Sequence, residues 1–195
     1  MKDEATPAAF LWRKVDSPGH DSCRFFSVAN GYRLLGAAVF LEGGQACHLQ
    51  YDVVADAGFR TTRAAVAGFV GNQSVNVRIS ARGKHWQVDG KSMPALAGCL
   101  DVDLGFTPAT NLLPLRRLAL RVGQEADAPA AYLAFPAMQF TLLPQRYKRL
   151  SGTDYDYQAP GYRGTLRVSA IGAVEQYPGL FELLWSLNAS GPIHR

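Results

Sequence analysis

The chain has 195 residues, 48% of them hydrophobic and 11% aromatic, too much apolar material for intrinsic disorder. Twenty Lys and Arg against 16 Asp and Glu leave a net charge of +4, which aids solubility and gives no reason to expect nucleic-acid binding. No apolar run reaches the ~18 residues of a membrane-crossing helix, and MKDEATPAAF lacks a secretory apolar core, so residues 1–195 are expected to form one cytoplasmic domain without a transmembrane segment.

Short apolar runs separated by glycine-rich turns set the pattern. GYRLLGAAVF and ACHLQYDVV flank LEGGQ, where Gly43 and Gly44 supply the positive φ of a tight hairpin. FRTTRAAVAGFV follows. In SVNVRIS, Val75, Val77 and Ile79 alternate with polar residues, the period-two signature of a strand buried on one face. ARGK turns the chain into HWQV, and Asp89-Gly90 turns it again, predicting three successive antiparallel strands.

Residues 101–118, DVDLGFTPATNLLPLRRL, break this rhythm. Thr107 is placed to cap a helix with Pro108 at its first position, predicting a short α-helix near 108–118 that Pro114 splits or kinks. Strands are then expected at Arg117–Val122, Ala131–Phe135, Gln139–Leu143, Tyr155–Gln158 and Gly164–Ala170. GLFELLWSLN at 179–188 reads equally as helix or strand. No strand alternates with a long amphipathic helix, which argues against a doubly wound α/β fold and for a mainly β, antiparallel one.

Nucleophile-elbow, zinc-protease, P-loop and dinucleotide motifs are absent from the sequence. The four histidines are scattered, and Cys23, Cys47 and Cys99 form no C-x-x-C pair, so no metal, no cofactor and no disulfide is expected. Asp101 and Asp103 are the strongest carboxylate pair. On a strand they share one face about 7 Å apart, a spacing that lets them share a proton, hold a cation, accept hydrogen bonds from sugar hydroxyls, or pair with Arg116 and Arg117. The spacing also overlaps that of inverting glycosidases, although glycosidase carboxylates face each other across the substrate. Tyr147, Tyr155, Tyr157, Tyr162 and Tyr177 crowd the last third, where phenol rings with polar tips suit a carbohydrate or amphiphile as well as a core.

The run from Cys99 to Leu118, C-x-D-V-D-x-x-x-T-P-x-T-N-x-L-P-x-R-R-L, resembles the signature of a bacterial family described as putative glycolipid-binding proteins, long carried as a domain of unknown function. Tyr51-Asp52-Val53, the Asp56 to Arg63 region, QRY at 145–147, YDY at 155–157 and GAVEQYPGLF at 172–181 extend the resemblance along most of the chain. Phe59 stands where the family usually has Trp, and PGHD replaces an early P-G-x-E-like motif, leaving Asp21 as its acid. The resemblance implies a large curved antiparallel sheet wrapped around a single short helix, remotely similar to lipoprotein localisation factors. It also implies a homodimer and an acidic, tyrosine-lined pocket for a glycolipid or sugar, with no established reaction. Carried onto this chain, the ligand-binding candidates are Asp101, Asp103, Asn111, Arg116, Arg117, Tyr51, Arg60, Tyr147, Tyr155, Tyr157, Glu175 and Tyr177. The leading expectation is a binding protein without catalytic residues, in which Arg116 orients the acids. A carboxylate-dependent enzyme acting on glycans and a purely structural role for the charged motif are the alternatives.

Overall fold

Period-two alternation turns most of this chain into strands, and the computed structural model describes residues 7–188 and 191–194 of it. An antiparallel meander comes first: β1 (Ala8–Lys14), β2 (Gly19–Val28), β3 (Gly31–Glu42), β4 (Gln45–Asp56), β5 (Thr61–Val70), β6 (Gln73–Arg82), β7 (His85–Val88) and β8 (Lys91–Ser92). The chain then forms β9 (Asp101–Leu104), a 3-10 turn at Ala109–Asn111, α1 (Leu112–Leu118), β10 (Glu125–Asp127), β11 (Ala130–Ala134) and β12 (Gln139–Leu143). A second meander closes it: β13 (Arg146–Arg149), β14 (Asp154–Ala159), β15 (Tyr162–Val168), β16 (Val174–Tyr177), β17 (Phe181–Asn188) and β18 (Gly191–His194).

Pairing of β17 with β1 fuses the meanders into one sheet of order β10-β13-β14-β15-β16-β17-β1-β2-β3-β4-β5-β6-β7-β8, with β18 also on β17 and fifteen strands in all. A small sheet, β12-β11-β9, is separate, with β9 parallel to β11. The expected tight turns are present: Gly43-Gly44 have φ of 53° and 78°, and Asp89-Gly90 have 48° and 78°, the doubly positive geometry of a type I′ hairpin. Val75, Ile79 and Ala81 point inward on β6 while their neighbours are exposed, as the alternation requires.

The helix explains the curvature. Leu112 and Leu113 pack into the apolar cluster of the first meander with Phe106, Val66 and Trp86, whereas Leu115 packs with Tyr147, Tyr155, Tyr157 and Leu166 of the second. Two wings that bury apolar faces on one helix must bend around it. Pro114 does not split this helix. It occupies the third helical position, where the N–H has no intrahelical acceptor to lose, and the 3-10 turn before it brings the chain in at the right angle. Thr107 takes its capping role one turn early, its Oγ1 accepting the Ala109 N–H at 3.0 Å. Two sequence expectations are corrected. Arg117 and Leu118 end the helix, so Arg117–Val122 is not a strand; Ala119 closes the helix in a left-handed conformation at φ 43° and donates its N–H to Leu115 O. The ambiguous 179–188 segment is strand β17, because β1 offers it a partner in register. Among the described residues, the three cysteines are free and buried, and no helix is long and apolar enough to cross a membrane.

Candidate functional site

Strand β9 sorts its side chains by parity. Val102 and Leu104 join Ala131 and Leu133 of β11 in the first wing's core, which turns Asp101 and Asp103 to the opposite face. The register sets Asp103 beside Tyr132. The two carboxylates meet different fates. Asp101 is fully buried and takes a two-pronged ion pair from Arg117: Nη2 on Oδ2, and Nε on Oδ1 at 3.3 Å. Burial lifts its pKa and the guanidinium pulls it back part of the way. The sequence expectation put Arg116 in this role; the helix instead turns Arg117 inward and leaves Arg116 outside, its guanidinium over the Phe59 ring at 5.1 Å.

Asp103 has no such partner. Among the described residues it makes no hydrogen bond and no ion pair, although it keeps part of its surface accessible. Desolvation, with the Asp101 charge second, pushes its pKa up to about 7. Asp103 thus combines strong desolvation with a partly accessible surface. Four phenols lie close enough to feel its charge: Tyr132, Tyr147, Tyr157 and Tyr177 all have hydroxyl pKa values raised first by burial and further by charges that include Asp103. Tyr147 and Tyr157 pack with ring centroids 4.9 Å apart, and Tyr177 stands edge-on to Tyr157 at 5.8 Å. A relay fixes them. Asn111 Nδ2 donates to Tyr147 Oη at 2.8 Å, and Tyr147 and Tyr157 both donate to Gln145 Oε1, at 3.3 and 2.8 Å. That relay spends the Tyr147 and Tyr157 protons inside the protein and leaves the Asp103 carboxyl and the half-buried Tyr132 and Tyr177 as the groups able to meet a polyhydroxylated molecule.

A family model described as "Putative glycolipid-binding" matches residues 9–182. The chain belongs to that family. It is also similar to the crystal structure of a DUF1089 family protein, PA1994, from Pseudomonas aeruginosa: 30% identity, a TM-score of 0.75, and coverage of 83% of this chain and 90% of that one. No curated protein matches it.

The other candidates of this glycolipid-binding family member are dispersed. Tyr51 reaches across Gly36 to donate to Asp21 at 3.0–3.1 Å, and Thr107 Oγ1 donates to the same carboxylate. Only glycine allows this crossing, since a Cβ at residue 36 would lie 2.3 Å from Tyr51 Cζ. Asp21 is 1% exposed, and burial raises its pKa to about 7 against those two hydrogen bonds. This is a buried clasp between the first wing and the loop leading to α1. Arg60 is exposed on the β4–β5 turn, where its N–H and that of Gly58 bond Asp56 Oδ1 at 2.9 and 2.8 Å. Glu175 is half-buried on β16, beside a groove of about 220 Å³ that it shares with Glu182 and Leu183. Tyr155 lines a cavity away from Asp103, described below. Tyr132 was missed by the sequence reading. The alternation AAYLA sets it opposite Ala131 and Leu133, but only the parallel pairing to β9 brings it to Asp103.

Proposed function

We propose that this protein binds the sugar headgroup of a glycolipid, without catalysing its turnover, at Asp103 and the half-buried phenols Tyr132 and Tyr177 near it, with the buried Tyr147 and Tyr157 as their packing support. The observation that carries the reading is Asp103 itself, a partly exposed acid whose carboxylate has no protein partner among the described residues and whose charge is felt by four phenols. Near neutral pH such a carboxyl is partly protonated, so it can donate to one sugar hydroxyl and accept from another. The arrangement favours binding over acid–base hydrolysis, because Asp101, the other acid on this face, is held by Arg117. Calorimetry with a panel of short-chain glycolipids tests it. Saturable binding that Asp103→Ala weakens at least about tenfold, as expected for loss of a charged hydrogen-bond acceptor, supports the proposal. Equal affinity in wild type and Asp103→Ala, or turnover of the bound glycoside, refutes it.

We also propose that the convex face seats a second copy of the chain. Leu35, Val39 and Leu41 of β3 and Phe69 of β5 are 42%, 58%, 40% and 40% exposed, and Leu11, Ala37 and Trp185 line a shallow groove of about 620 Å³ beside them. Apolar side chains in such a continuous stripe are normally covered. Light scattering across a concentration series should give a dimer mass for the wild type and a monomer for Val39→Asp; a monomeric wild type sinks this reading.

A further inference from the structure

A cavity of about 570 Å³ opens where the end of α1 meets the turns after β13 and β15, and its lining includes Arg116, Arg149, Tyr155, Ser169 and Gly172. Among the described residues no carboxylate lines it. Arg149 spends its donors on three backbone carbonyls, Leu120 O at 2.8 Å, Ser151 O at 3.0 Å and Gly152 O at 2.9 Å, so its position is fixed and its charge has no counter-ion among the described residues. Its guanidinium lies over the Tyr155 ring at 5.6 Å. Asp154, next along the strand, has the opposite parity and engages Ser151 Oγ at 2.6 Å and Arg167 at 3.4 Å.

Two further groups are unspent. Tyr155 is 94% buried by its 6% exposure, yet its hydroxyl has no partner among the described residues and is not sealed from solvent. Arg116 makes no hydrogen bond or ion pair among the described residues; its side chain lines the cavity, and its guanidinium rests over the Phe59 ring. Ser169 Oγ accepts the Ala173 N–H at 3.2 Å and keeps its own proton to give. Fixed positive charge, a free guanidinium and two hydroxyl donors, with apolar Leu115 and Val168 beside them, are the components of an oxyanion site.

We infer that this cavity binds a phosphate-class oxyanion, either free or carried on a lipid headgroup, with Arg116 and Tyr155 as direct donors and Arg149 as a fixed electrostatic support. The inference does not rest on the Asp103 site, since it concerns other residues and another charge sign. Isothermal titration in phosphate-free buffer, with inorganic phosphate and with dihexanoyl phosphatidic acid as probes, tests it on the full-length protein. Saturable binding at one site per chain is expected. Arg116→Gln, an exposed change that leaves the fold intact, should weaken it about tenfold, and Tyr155→Phe severalfold. Tighter binding of the lipid than of phosphate identifies a headgroup as the source; equal binding identifies the free anion. No saturation by either probe at ~10 mM, or affinities unchanged in both variants, overturns the inference, since a two-arginine site weaker than that would be surface attraction alone.

Discussion

Replacing Asp103 by Asn separates a ligand-binding acid from a structural one by the sign of its effect on stability. Raising a carboxyl pKa from 3.8 to about 7 means that ionising it in the fold is disfavoured by roughly 4 kcal/mol, at about 1.36 kcal/mol per pH unit. Because the folded state holds the proton more tightly, this group's stabilising contribution is complete below pH 4 and is lost as pH rises through 7. At pH 8 the wild type therefore carries a penalty of up to about 4 kcal/mol that Asn does not carry. An amide without hydrogen bonds at this position returns about 1–3 kcal/mol of it. Asp103→Asn should thus be more stable than wild type by about 1–3 kcal/mol at pH 8, and the difference should shrink toward pH 5. Asp21 is raised in the same sense and persists in the variant, so the pH slope of stability should be reduced and not abolished. Urea unfolding of both proteins at three or four pH values between 5 and 8 measures this directly. A variant less stable than wild type at pH 8 would refute the reasoning, because it would mean that the carboxylate braces the fold.

Arg117→Met should behave in the opposite way to Asp103→Asn. It strands Asp101 as a buried charge and should lower stability by about 3–5 kcal/mol at neutral pH, with most of the loss recovered on adding Asp101→Leu in a double-mutant cycle. Gly36→Ala drives a methyl into the Tyr51 ring and to 2.6 Å from Ser22 O; chemical denaturation should show a loss of about 2–3 kcal/mol. Thr107→Val removes a hydroxyl donor from Asp21 and should lower stability by about 1–3 kcal/mol above pH 7, less below it where the acid is protonated.

The sheet was legible because its information is local. Alternation in SVNVRIS, the glycine pair at 43–44 and the Asp-Gly at 89–90 each dictate a strand or a turn without reference to the rest of the chain. The helix was legible for the same reason, since Thr107-Pro108 carries its own start signal. What sequence could not supply were the long-range pairings. Nothing in AAYLAF says that this strand lies parallel to DVDL, and without that register Tyr132 cannot be placed beside Asp103. Nor does YDY say that its two inward tyrosines have different neighbours, Tyr157 bonding Gln145 near Asp103 and Tyr155 lining the cavity with Arg149. Tyr51 is a related case: its motif reads as part of a binding region, and the fold bonds its hydroxyl to the buried Asp21, a partner that only the long-range packing supplies.

The adjacent arginines show why the charged motif must sit at the join between the wings. Consecutive residues on a helix point about 100° apart, so Arg116 and Arg117 cannot serve one target. Arg117 neutralises Asp101 and thereby ties α1 to β9, fixing the strand on which Asp103 is carried. Arg116 is left exposed with its donors free, its side chain lining a cavity that it shares with Arg149 and Tyr155. The carboxylates divide in the same manner, Asp101 joined to the helix and Asp103 without a partner. Each pair therefore contains one member that assembles the junction and one that the junction presents. On the proposed reading, that division accounts for both signs of charge in so short a segment: one ion pair joins helix and strand, and the remaining acid and arginine are the groups offered to ligands.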